Sequence, residues 1–151
     1  MINTSGDTHT LQSGDTDAAL TPYHVERGKL FINQRNWHQD VDKSILEELI
    51  SYTQFPIPDR GVASTLEEEK FRILASLVGS ADLIGQLADP MYDVKIPRLF
   101  YEFSETGSAD KMGYKTPDDL RAGYPGFFLN FVKPHIGNAV KYLQVSDEGK
   151  T

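Results

Sequence analysis

Residues 64–90 read STLEEEKFRILASLVGSADLIGQLADP, and their pattern decides the fold. Ser64-Thr65-Leu66-Glu67 is a capping-box signature, in which a hydroxyl and an acid three residues on satisfy the first N–H groups of a helix. Glu67, Glu68 and Glu69 favour the positive end of its dipole, and Asp89-Pro90 stops it. Between these ends Phe71, Ala75, Val78, Asp82 and Gly85 recur at spacings of four, three, four and three, which is one helical face. The spacing predicts a long helix through Ala88, with the Asp82 carboxylate on its core-facing stripe. A buried ionised acid is costly unless it is paired, hydrogen-bonded or bound to a cation. Asp82 is therefore either a structural anchor bonded to a helix terminus, a Tyr or an Arg, or a ligand for a metal or small molecule. Gln86 and Asp89 continue the same side as a polar strip.

Working outward, the same periodicity returns. YHVERGKLFINQRNW (23–37) reads as a helix anchored by Tyr23, Leu30, Phe31 and Trp37 and weakened at Gly28. Asp40 or Asp42 caps VDKSILEELISYTQF (41–55), where Val41, Ile45, Leu49 and Tyr52 form the stripe. The prolines and glycine of FPIPDRG then impose a loop. IPRLFYEFSETG predicts a shorter helix from about Pro97, and Thr116-Pro117-Asp118-Asp119 starts another. A last helix runs from about Pro125 to Leu143, kinked at Pro134. The class expected is an all-α bundle of about five or six helices. Strand alternation, internal repeats and heptads are not evident.

The chain of 151 residues is long enough for one domain with a core. Hydrophobic residues make up 39% and charged residues 25%, as in water-soluble domains. With no cysteine, disulfides, thiolate metal sites and a cysteine nucleophile are excluded. A formal net charge of −7 without a basic cluster disfavours nucleic acid and anionic membranes as partners. The absence of a signal pattern or a long apolar run predicts a cytoplasmic protein. Residues 1–22 carry few large apolar side chains and are expected to form a disordered tail ahead of a helical domain over 23–151. His9, inside that segment, is expected to be solvated.

The strings SADLIGQLADPMYDVKIPRLFYEF (80–103), GYKTPDDLRAGYPGFF (113–128) and VKPHIGNAVKYLQVSDEGK (132–150) resemble the C-terminal part of bacterial HD-domain metal-dependent phosphohydrolase-like proteins. The resemblance is strong from about Glu67 to Lys150 and weaker over 23–58. It implies a compact all-α fold and a site where His and Asp side chains hold divalent manganese, iron or magnesium, which activates water against a phosphate ester. On this resemblance Asp82 matches the family's distant Asp ligand. His24 matches a later histidine that holds a second metal or contacts phosphate, Arg27 is a phosphate-contact candidate, and Gln86 lines the substrate side.

The chain departs from that pattern in having no His-Asp doublet, and the helices that carry the doublet and the first His in the family have no counterpart before Tyr23. One carboxylate and one histidine are too few to hold a divalent ion tightly. Three readings follow: an HD-like remnant lacking the N-terminal helices and hydrolytic activity, an active enzyme completed by His9, His38 or a second chain, and a binding or interaction module. The third reading offers a phosphate-containing small molecule or a second copy of the chain as partner, the copy through exposed apolar surface.

Other candidates have plainer explanations. His24 suits a hydrogen-bonded histidine at the core edge. Glu26 and Arg27 suit surface pairs, and His38, Asp40 and Asp42 suit capping and solvation. Tyr92, Phe100, Tyr101 and Phe103 suit the core. Glu102 could line a cavity with Gln86. No partner for His135 is evident in the sequence.

Overall fold

The computed structural model describes residues 4–59, 61–145 and 147. It is all-α, with no strand among the described residues. The α-helices in chain order are α1 (His24–Gln34), α2 (Lys43–Leu49), α3 (Leu66–Leu87), α4 (Tyr92–Glu105), α5 (Ser108–Met112), α6 (Pro117–Phe127) and α7 (Lys133–Leu143). Short 3-10 segments cover Asp17–Tyr23 and Ile50–Thr53, and a π-helical turn spans Phe128–Val132. The chain packs into two compact units. One comprises Met1–Ile50 with Asp93–Ala122, the other Ser51–Tyr92 with Gly123–Thr151.

In the first unit, Asp42 caps α2, its carboxylate accepting from Ser44 N at 2.8 Å. Trp37 Nε1 donates to Ile32 O at the end of α1 at 2.8 Å. Helix α4 begins at Tyr92, earlier than the Pro97 start expected. Proline is costly inside a helix because it has no N–H to give the carbonyl four residues back. Here that carbonyl belongs to Asp93, and Arg121 Nη2 donates to it at 3.4 Å. The extra helix α5 sits between Gly107 and Gly113, both at positive φ (70° and 78°), a conformation glycine adopts without strain.

The stretch expected to be a disordered tail carries a 3-10 segment with Ala18 and Leu20 buried. The side chain of Thr16 caps it, accepting from Ala18 N at 3.2 Å. Glu105 accepts from both Thr16 N (2.8 Å) and Thr16 Oγ1 (2.6 Å). Two small apolar side chains and a few charged tethers give this stretch its order, which its composition does not announce.

In the second unit the capping box of α3 lies one residue later than read from the sequence. Thr65 Oγ1 accepts from Glu68 N at 3.1 Å, and Glu68 Oε2 accepts from both Ser64 N and Thr65 N at 2.6 and 3.3 Å. Two overlapping S/T-x-x-E pairs compete here, and with Glu68 one carboxylate serves both N–H groups. The helix ends where Asp89 Oδ1 accepts from Met91 N at 2.8 Å. α3 packs on α7, where Ser80 Oγ donates to His135 O, and it buries Ala75, Gly79 and Ser80. A Cβ on Gly79 would sit 3.0 Å from Tyr52 O, so any larger residue would push the backbone at Tyr52 back by a few tenths of an ångström. The expected last helix is divided: Pro134 has no N–H for Asn130 O, and the turn before it widens to π geometry. Val132, fully buried, lies in that turn.

Candidate functional site

Asp82 lies on α3 with its side chain exposed, which corrects the core-facing position expected for it. The buried face of α3 runs from Ala75 through Gly79 to Ser80, and Asp82 lies just outside that arc. The sequence pattern followed the bulkiest side chains, Phe71 and Val78, whereas the close contact uses the smallest ones. Gln86, one turn further, is exposed, and Asp89 is half-buried, its carboxylate accepting from Met91 N just ahead of α4.

His24 and Arg27 are on α1, in the other unit. His24 Nδ1 lies 2.7 Å from Thr21 O. A carbonyl only accepts, so Nδ1 carries the proton in this contact. Arg27, read as a phosphate contact, instead donates from Nε to Asp7 Oδ2 at 2.6 Å, and the Asp7 side chain is almost wholly buried. That hydrogen bond, with the backbone N–H of His9 and the guanidinium charge, holds the Asp7 carboxyl below the usual carboxylate range. Arg27 therefore fastens the N-terminal segment to α1.

His9 is not simply solvated: its Nε2 lies 3.1 Å from Glu26 Oε2, and its ring stacks on Tyr23 at 3.8 Å. His38 pairs with Asp40 at 3.1 Å on the surface. His135 Nδ1 lies 2.6 Å from Phe131 O, and its own carbonyl accepts from Ser80 Oγ at 3.2 Å, so it has partners the sequence did not reveal. Glu102, imagined beside Gln86, is exposed and belongs to the other unit.

Each unit carries one open cleft of note. In the first, about 330 Å³ is lined by polar groups of the N-terminal segment, among them Thr8, His9 and Asp15, with Tyr23. In the second, about 340 Å³ lies between α3, the 52–59 loop and His135 of α7. Arg72, Ser76 and Ser80 bring its polar side from α3, and Tyr52 and Ile57 bring an apolar wall. The signal for this cleft was present as Arg72-x3-Ser76-x3-Ser80, a polar line at i, i+4 and i+8 inside an apolar helix. Elsewhere in the second unit, Tyr92 and Tyr124 pack at 5.1 Å. Burial pushes both phenols up, with the neighbouring ring adding to the effect on Tyr92, so neither serves as an acid near neutral pH.

A family model covers residues 2–151, essentially the whole chain. The chain belongs to the Npun_R2479-like family. No curated protein and no solved structure matches it. Among the described residues of this Npun_R2479-like protein, no three His, Cys, Asp or Glu side chains come together in a group that could hold a metal ion. Among the described residues no single helix is long and apolar enough to cross a membrane.

Proposed function

We propose that the chain is an HD-type helical domain that does not hydrolyse phosphate esters by itself and acts as a binding module, with Asp82 at the position of the family's distant metal ligand. The observation that carries this reading is the donor set. A catalytic divalent centre takes about three protein ligands and an open position, whereas the chain has no His-Asp doublet and its described residues gather no such trio. The exposure of Asp82 also weighs against a buried structural anchor. The all-α build is the one the resemblance implies. Phosphate-containing small molecules in the cytoplasm are the partners this reading favours.

The test is metal content and affinity of the purified chain after loading with manganese or iron, with Asp82→Ala alongside. The expected result is no stoichiometric metal and an unchanged melting temperature in Asp82→Ala. Stoichiometric binding that Asp82→Ala abolishes would overturn the non-hydrolytic reading and turn attention to nucleotide and phosphate-ester substrates.

A further inference from the structure

The cleft of the second unit differs from a generic surface dent in how its chemistry is divided. Arg72, Ser76 and Ser80 stand one above another on α3, and Ala75 and Gly79 beside them supply a floor with almost no side chain. Tyr52, buried, and Ile57 form the apolar side. The volume of about 340 Å³ falls in the range of small-molecule sites.

The charged member is Arg72. Its surface partner, Glu69, lies 3.6 Å away with both side chains about half exposed, and such pairs contribute little. The guanidinium can therefore exchange that contact for a better one, and its fork of donors matches a carboxylate or phosphate. Ser76 adds a hydroxyl on the same line. The Ser80 proton is given to His135 O, which leaves its oxygen as an acceptor. Asp59, at the rim, accepts from Gly61 N at 2.9 Å, so its carboxylate is engaged in its own turn.

We propose that this cleft binds a small organic anion, with Arg72 and Ser76 holding its carboxylate or phosphate head and Tyr52 and Ile57 its apolar body. The site is on a different face of α3 from Asp82 and stands whichever way the metal experiment falls.

The test is titration of the full chain, ¹⁵N-labelled, with benzoate, phenyl phosphate and the neutral benzamide, followed by amide shifts. The variants are Arg72→Gln and, as an arginine control outside the cleft lining, Arg121→Gln. Saturable shifts centred on Ser76, Gly79 and Ser80 are expected for at least one anion, with affinity falling about tenfold or more in Arg72→Gln and unchanged in Arg121→Gln. Binding of benzoate alone would identify a carboxylate head and binding of phenyl phosphate alone a phosphate head; either supports the site. Equal binding of benzamide, equal loss in both variants, or no saturable shifts with either anion would overturn it. Circular dichroism of Arg72→Gln separates lost binding from lost fold, and Arg72→Lys, which keeps the charge without the fork, is expected to recover affinity only in part.

Discussion

The two units solve the same problem, holding short helices together, with different chemistry. The first relies on polar tethers: Arg27 to Asp7, Glu105 to Thr16, and Arg121 to Asp93 and Asp118. The second relies on close approach, with Ala75, Gly79 and Ser80 buried on α3, Gly79 against the Tyr52 carbonyl and Ser80 against α7, and with Val132 buried in its turn. Stacked rings of Phe127 and Phe131 at 5.3 Å add to it. Tethers act at a point and answer to protons and salt, while close packing answers to volume.

The contrast can be broken most forcefully at Val132. Val132→Ala removes two methyl groups from a fully buried site and is expected to cost about 2–3 kcal/mol, by transfer of those groups plus the cavity left behind. Urea denaturation checks it, and a cost below about 1 kcal/mol would show that the second unit is looser than its packing implies.

A pair of glycines sharpens the same point at smaller scale. Ala at position 79 meets a backbone carbonyl at 3.0 Å, whereas Ala at position 28 meets the side chain of Ile50 and no backbone atom. Gly79→Ala is expected to lose about 1 kcal/mol through overpacking despite its gain in helix propensity, and Gly28→Ala to lose less or to gain. Thermal melts of the two variants decide the order.

The Thr65 cap belongs to the second unit but is a polar device, so it tests whether the contrast extends to helix ends. Thr65→Ala is expected to cost about 1 kcal/mol, whereas Ser64→Ala, at the position the sequence pattern favoured, should cost little. Equal effects in the same melts would move the cap back by one residue.

The smallest effect is local and belongs to the first unit. The Asp7 carboxyl is held below its ordinary value by Arg27, so the unfolded segment binds protons more readily than the folded one. The tether contributes fully above the unfolded value of about 4 and is lost as pH falls from there through the lower folded value. Protection of the amides over residues 5–10, measured against their intrinsic exchange rates, should fall in that acid range in the native chain. In Asp7→Asn it should already be low at neutral pH, and protection in α3 should change in neither case.

Much of the architecture was legible because caps and helical periods are local. Asp42, one of the two candidates read for its helix, and Thr116 cap as expected, and the long α3 runs where its stripe predicts. The misses were tertiary in origin. Pro97 sits inside α4 beside an Arg121 bond to Asp93 O, a partner 28 residues from that carbonyl in sequence. Order near the N-terminus comes from Arg27 and Glu105, far along the chain. Asp82 was placed inward because periodicity identifies a face but not which edge of it meets a neighbour. The cleft around Arg72 went unread because its opposite wall, Tyr52 and Ile57, comes from a separate stretch of chain that the periodicity of α3 does not reveal.

The π turn at Phe128–Val132 is a phase shifter. It accommodates a surplus residue while Phe127, Phe131 and His135, each four apart, still stack in a column at 5.3 and 4.2 Å. Deleting any one residue there would remove the surplus while leaving Pro134 in place, and it would rotate everything beyond by about 100°. Ala139 would leave the buried face and the His135 carbonyl would leave Ser80. A chain shortened by that single residue should thus keep its helix content and melt early, because the angular bearing of α7 is stored in the turn that precedes it.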